Sequence, residues 1–161
     1  MKKIISIMLA AVALLATSCE KTSESGDSTY SLSGDKYLGT LTVLGSPQED
    51  VAFYAEEENN GESISILMPE VSFMPSFMPN LDMALISLAR ISTNPTTYYA
   101  EESQMVGIYD RLPLINDIIQ SITNVVVVKS GDDITITFDC GISTETMGDM
   151  TVGVTYTGTQ E

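Results

Sequence analysis

The stretch Ile134-Thr135-Ile136-Thr137-Phe138-Asp139-Cys140 decides the fold class, because apolar and polar residues alternate through it without a break. Successive side chains of a β-strand point to opposite faces of the sheet, so a half-buried strand has this period of two. The Ile, Phe and Cys residues therefore define an inner face, and the Thr and Asp residues define an outer one. The sequence predicts an antiparallel strand with one buried face.

Segments of the same character lie on both sides of this strand and are separated by turn signals. Ser130-Gly131-Asp132-Asp133 and Asn60-Gly61 suit tight hairpins, since Gly and Asn tolerate positive φ angles. Several short strands joined by turns predict a sandwich or a barrel. The other strand segments are residues 37–43, 51–55, 64–68, 125–128 and 150–157.

Two segments have less regular patterns. Residues 81–91 are apolar on both faces and fit either a strand or a helix. Residues 111–122 favour a short helix, because Asp110 can cap it and Pro113 is tolerated in a first turn. The apolar positions of this segment also follow helical spacing. They are Ile115, Ile118, Ile119 and Ile122.

The N-terminal residues 1–18 predict a signal peptide. Lys2 and Lys3 precede an apolar run over 4–16, which is shorter than the roughly 20 residues that span a bilayer. Ala16-Thr17-Ser18-Cys19 then resembles the lipobox of bacterial lipoproteins. That resemblance implies that the chain is cut before Cys19, which carries acyl chains such as palmitate. The alternative is an ordinary secreted protein in which Cys19 is incidental.

A lipidated Cys19 would hold the protein at the membrane through its acyl chains and not through charge. Loss of residues 1–18 removes two lysines, so the formal charge changes from −15 to −17. Such a body is repelled by anionic headgroups, whereas several acyl chains attach durably. Residues 19–33 are rich in Ser, Thr, Glu and Gly, and they predict a flexible tether to a folded domain over 34–159.

The second cysteine, Cys140, has no partner for an intramolecular disulfide if Cys19 is lipidated. It belongs to the apolar face of the strand quoted above. Free cysteines on such faces usually behave as small hydrophobic residues. We therefore predict that Cys140 is buried and unreactive.

The composition excludes several classes of function. Histidine is absent, so neither a Ser-His-Asp triad nor a His-ligated metal can form. The chain has 22 acidic residues against 7 basic ones, which argues against nucleic acid as a partner. The adjacent pairs Glu101-Glu102 and Asp132-Asp133 lie in turns or point apart, unlike the facing carboxylates of glycosidases. We expect a protein that is not an enzyme and has no cofactor.

One acidic segment partly follows the spacing of a calcium-binding loop. Glu56, Glu58, Asn60 and Gly61 match positions 1, 3, 5 and 6 of such a loop. Position 12, which requires a bidentate Glu, is Leu67. The sequence therefore favours a solvated acidic hairpin and predicts no metal site.

The most unusual segment combines methionine, phenylalanine and proline. Methionine adapts to irregular shapes on promiscuous binding surfaces, so this segment could line a barrel mouth and contact an apolar ligand. The alternative, which the sequence favours, is that it fills the barrel as core. Two neighbouring tyrosines could form an aromatic platform or a strand with one buried ring. The candidate ligand-binding residues are Met68, Phe73, Met74, Phe77, Met78, Tyr98 and Tyr99.

Several short motifs make the chain similar to the calycin-like lipoproteins of gut Bacteroidota. This resemblance implies an antiparallel meander closed into a roughly eight-stranded barrel, with the first strand paired to the last. It also implies an outer-membrane lipoprotein of a Gram-negative cell, facing the periplasm or the cell surface. The motifs are Tyr37-Leu38-Gly39-Thr40-Leu41-Thr42-Val43, Phe73-Met74-Pro75, Phe77-Met78-Pro79, Asp139-Cys140-Gly141, Met147-Gly148-Asp149-Met150 and Val154-Thr155-Tyr156-Thr157-Gly158-Thr159.

Two functions follow as expectations. The first is a lipid-anchored envelope protein that binds a small apolar ligand without catalysis. The second is a structural or protein-interaction module of the envelope whose barrel core is solid. The volume of the barrel interior distinguishes them, because an eight-stranded barrel either fills with side chains or holds one small ligand.

Overall fold

The computed structural model describes residues 34–72, 81–103, 105–107, 119–145 and 148–161. These residues form an all-β structure, and their only helical element is a 3-10 turn at Asn59–Gly61. No helix in these ranges is long and apolar enough to cross a bilayer. The strands are β1 (Asp35–Val43), β2 (Ser46–Glu58), β3 (Ser63–Val71), β4 (Leu81–Thr93), β5 (Thr96–Ser103), β6 (Met105–Gly107), β7 (Ile119–Ser130), β8 (Asp133–Thr144) and β9 (Gly148–Gln160).

The strands form a closed antiparallel barrel with eight strand positions. Strands adjacent in the chain pair with one another except around β6, which pairs with β4 while β5 pairs with β7. β1 pairs with β9 from Tyr37↔Gln160 to Val43↔Val154. β3 covers one side of β4 along its length. The other side of β4 pairs with β5 and then with β6, so these two short strands share one position in the barrel. Closure between the first and last strands, which the resemblance implied, is confirmed.

Three turns lie at one end of the barrel, which we call the hairpin end. They join β2 to β3 at 59–62, β4 to β5 at 94–95, and β7 to β8 at 131–132. The last residues of the chain are also there, since Gln160 N–H donates to the Asp132 carbonyl. The Leu44-Gly45 turn between β1 and β2 is at the opposite end.

Alternation along the strands places one continuous apolar core inside the barrel. The inner positions carry bulky apolar side chains, and the outer face of β8, β9 and β1 is rich in threonine. Burial of this apolar surface is the main favourable term in folding. The largest fully buried residues are Tyr37, Tyr98, Tyr156, Phe53, Leu41, Ile64, Ile66, Met68, Met83, Leu85 and Leu88.

Four non-glycine residues with positive φ mark irregularities in the strands. Asp50, Glu70, Ser87 and Asn124 have φ between 53° and 58°, and each lies at a shift in strand register. One residue inserted into a strand lets the sheet bend more sharply. These bulges supply curvature that a closed barrel needs.

The predicted strands and hairpins are confirmed, and one predicted element is partly wrong. Residues 81–91, left open between strand and helix, belong to β4. The helix predicted over 111–122 is wrong at its C-terminal end, because 119–122 are strand residues of β7. Ile119 and Ile122 are both buried in the barrel core, and their pairing with β8 overrides their helical spacing. The remainder of that segment lies outside the described residues.

Candidate functional site

The interior of the barrel holds two of the predicted ligand-binding residues. Met68 and Tyr98 retain none of their accessible surface. Tyr99 is on the outer face and is half-buried, which matches the alternative of a strand with one buried ring. Cys19 and the Phe and Met residues of the segment 73–78 lie outside the described residues.

The inner side chains that the structure describes are almost completely buried, which indicates a filled interior. A cavity wide enough for water would leave accessible surface on the side chains around it. The largest inner side chains instead keep less than 2% of their accessible surface. They include residues from β1, β2, β3, β4, β5 and β9, and therefore from most of the circumference. Residues Ile134, Ile136 and Cys140 of β8 are exposed by 2% or less and complete the filling.

At the hairpin end, charged side chains occupy positions on the inner face of the described strands. Glu57 follows the buried Phe53 and Ala55 in the inward phase of β2. Lys129 follows Val125 and Val127 in the same way on β7. Strand alternation therefore brings these two side chains to one mouth of the barrel.

Arg90 and two tyrosines complete this group, which we call the mouth cluster: Tyr37, Glu57, Arg90, Tyr98 and Lys129. Arg90 lies opposite Tyr98 in the β4–β5 ladder. Lys129 Nζ is 2.6 Å from Glu57 Oε1, and their side chains are 17% and 40% exposed. The cluster combines two cations with one carboxylate.

The β2–β3 turn covers the mouth cluster with a glycine. Gly61 is buried and has φ of +77°, a conformation that favours glycine. A methyl group on Gly61 would lie 3.3 Å from both Arg90 Nη1 and Glu57 Oε2, and 4.0 Å from Tyr98 Oη. The turn therefore packs closely over the charged groups, and only a glycine fits at this position.

The buried tyrosines differ in how their hydroxyl groups are satisfied. Tyr156 donates to either the Tyr37 carbonyl at 3.0 Å or the Val51 carbonyl at 3.1 Å, and its ring stacks on Phe53 with centroids 4.0 Å apart. The hydroxyls of Tyr37 and Tyr98 are buried and have no partner in full hydrogen-bonding geometry among the described residues, although Tyr98 lies beside Glu57 and Tyr37 beside Lys129. Buried polar groups are rarely left unpaired, so these two hydroxyls call for a physical explanation.

The charges of the mouth cluster shift the pKa values of its members. The hydrogen bond from Lys129 lowers the pKa of Glu57, against the opposing effect of burial. Burial acts to lower the pKa of Lys129, but Glu57 and Tyr37 raise it above its ordinary value. Burial and the Glu57 charge raise the pKa of Tyr98. All three groups therefore keep their usual protonation states at neutral pH.

The other sequence candidates are separate from this cluster. Glu58 accepts a hydrogen bond from Ser65 at 2.8 Å, and Asp133 accepts one from Thr159 at 2.8 Å. Glu101-Glu102 and Asp132-Asp133 are exposed. The described residues bring together no group of three acidic or cysteine side chains that could hold a metal.

Cys140 is buried and free, as predicted from its place on the apolar face. Burial raises the pKa of its thiol to about 12. Since the thiolate is the reactive form, this cysteine is chemically inert in the folded protein.

The mouth cluster was not predicted from the sequence, although part of its signal was available. If the alternation over 53–55 and 125–127 is continued by two residues, Glu57 and Lys129 fall on the inner face of the sheet. The convergence of β2, β4, β5 and β7 on one mouth depends on barrel closure, which the sequence pattern does not fix.

Fold and interior together define the class of protein as a closed antiparallel β-barrel with a filled core in its described part. Comparisons of the chain with protein-family models, with curated proteins and with solved structures find no match. Function is therefore argued from the residues themselves.

Proposed function

We propose that this chain is a lipid-anchored, non-enzymatic protein of the cell envelope whose barrel is a solid scaffold for interaction with another envelope component. The filled interior carries this proposal. An apolar ligand the size of a fatty acid would need space now taken by side chains such as Leu41, Ile66 and Met83, each at most 1% exposed.

A carrier for a small apolar ligand remains the second candidate because of the Met-, Phe- and Pro-rich segment. Its neighbours Met68 and Met83 are paired across β3 and β4 and contribute to the core. That placement supports the core interpretation of the Met-rich region over the ligand-binding one. A carrier would therefore need to bind its ligand outside the described interior.

The anchoring part of the proposal rests on the sequence around Cys19. Metabolic labelling with radioactive palmitate should mark the chain when it is expressed with its own N-terminus, and Cys19→Ala should abolish the label. An unlabelled wild-type chain that is nevertheless exported would contradict lipidation and leave an ordinary secreted protein.

The scaffold part is tested on the intact protein purified from membranes in detergent. Native mass spectrometry and solvent extraction should find no stoichiometric small apolar molecule. Crosslinking in intact envelopes should yield a defined adduct that depends on the folded barrel. A reproducible bound lipid at one per chain would favour the carrier and overturn the scaffold.

A further inference from the structure

Two buried tyrosine hydroxyls at the hairpin end are available to donate hydrogen bonds to a bound ligand. Tyr37 and Tyr98 are 0% exposed, and among the described residues neither hydroxyl has a partner in full hydrogen-bonding geometry. Both lie beneath the charged groups of the mouth cluster, Tyr98 beside the Glu57 carboxylate and Tyr37 beside the Lys129 ammonium, at weak hydrogen-bonding positions. An anion placed among them would accept the hydrogen bonds that the free protein does not form.

Basic side chains are rare in this chain, so the presence of two of them in the mouth cluster is informative. The described residues contain three basic side chains, Lys36, Arg90 and Lys129. Lys36 pairs with Glu161 at the same end of the barrel, without contacting a cluster residue in that pair, and Lys129 pairs with Glu57. Arg90 is exposed and forms no ion pair with any described residue.

We propose that the mouth cluster is a binding site for the carboxylate group of a small molecule, received by Arg90, Lys129 and the hydroxyls of Tyr37 and Tyr98. The guanidinium group binds a carboxylate through two parallel hydrogen bonds, and phenol hydroxyls add further donors. A monoanion fits better than a phosphate dianion, because the chain carries a formal charge of −15 and repels multiply charged anions.

Glu57 occupies this site in the free protein. Its carboxylate contacts Lys129, lies close to Arg90 beneath Gly61, and is 40% exposed. A side chain with this exposure can rotate into solvent when an external carboxylate takes its place. Glu57 therefore competes with the ligand, and the bound state exchanges one carboxylate for another.

The test titrates the full chain with sodium acetate and follows backbone amide signals of the hairpin end by NMR. Sodium chloride at equal ionic strength corrects for screening. Acetate should shift the signals of Gly61 and Arg90 in the wild type. Glu57→Gln should bind acetate about fivefold more tightly, the factor that matches the upper range for a lost exposed ion pair. When Tyr98→Phe or Arg90→Gln is combined with Glu57→Gln, the affinity for acetate should fall back to that of the wild type or below.

Lys36→Gln is the matched control, because it removes a cation at the same end of the barrel whose ion pair includes no cluster residue. It should leave acetate binding unchanged. Acetate shifts no larger than those of chloride, or no gain in Glu57→Gln over Lys36→Gln, would overturn the site. Tighter binding of inorganic phosphate than of acetate would overturn its assignment to a carboxylate.

Discussion

At the scale of single residues, the buried tyrosines make opposite contributions to stability. Tyr156→Phe removes the donor for the Tyr37 and Val51 carbonyls. Losing one partner of a buried hydrogen bond costs about 1–3 kcal/mol, so we expect the free energy of unfolding to fall by that amount. Urea denaturation measures it.

Tyr98→Phe is the matched comparison, since it removes a hydroxyl that has no partner in full hydrogen-bonding geometry among the described residues. We expect the free energy of unfolding to stay constant or to rise by up to about 1 kcal/mol. A loss as large as that of Tyr156→Phe would mean that Tyr98 is hydrogen-bonded in solution, and the carboxylate site would lose one of its donors.

The Glu57–Lys129 pair gives the protein a defined pH dependence. The pKa of Glu57 is below its ordinary value of 4.5, so its contribution is complete above that value and is lost as the pH falls through the lowered pKa. The pKa of Lys129 is above 10.5, so its contribution is lost only as the pH rises through the raised value. The pair is therefore intact between these limits.

Glu57→Gln should flatten the fall in the free energy of unfolding below pH 4.5. The difference should be below about 1 kcal/mol because the pair is partly exposed. The double variant Glu57→Gln with Lys129→Gln is the control, and thermal melts from pH 3 to pH 7 provide the measurement. An acid limb identical to that of the wild type would contradict a lowered Glu57 pKa.

At the scale of elements, the seam between β1 and β9 depends on two glycines that face each other, Gly39 and Gly158. A Cβ on Gly39 would lie 2.0 Å from the Thr157 carbonyl oxygen, and one on Gly158 would lie 2.5 Å from Tyr156 Oη. The first contact is with backbone, which cannot move without breaking the seam.

Gly39→Ala should therefore destabilise the barrel by about 2 kcal/mol or more, as overpacking of a tight interior does. Gly153→Ala is the matched control on β9, because nothing lies nearer to its Cβ than Asp139 Oδ1 at 4.0 Å. The control should be neutral or slightly stabilising, since alanine restricts the unfolded chain. Equal melting temperatures for the two variants would show that β1 and β9 can move apart enough to accommodate the added methyl group.

The sequence predicts an element well when local burial determines its structure. It predicts an element poorly when pairing with a distant strand determines it. The alternation over 134–140 records burial of one strand face, and it predicts β8 and its core residues correctly. The Ile spacing near 119–122 fits a helix locally, but pairing with β8 makes it a strand. The bulge residue Ser87 is specified by its contact with Ser65 on another strand, at 3.0 Å from backbone nitrogen to Oγ.

At the scale of the whole molecule, barrel closure determines both the packing of the core and which strand ends meet in the mouth cluster. The repeated alternation predicts a sandwich or a barrel, and only the resemblance implied roughly eight strands. The mouth cluster depends on which strand ends meet, and no segment of sequence records that by itself. A pattern with period two predicts that Glu57 and Lys129 point inward, while only closure makes them an ion pair.

The charge of the whole molecule leads to a last prediction. The sequence has 22 acidic and 7 basic residues, so the folded chain repels itself more strongly than the expanded unfolded chain does. Raising NaCl from about 10 mM to about 150 mM shortens the screening length from roughly 30 Å to roughly 8 Å. The melting temperature should rise by a few degrees, since about 1 kcal/mol corresponds to about 2–4 °C at this size. KCl at equal ionic strength should give the same rise, because screening does not depend on the identity of the ion. A melting temperature that falls with salt would mean that the few ion pairs, Lys129–Glu57 among them, outweigh the net repulsion.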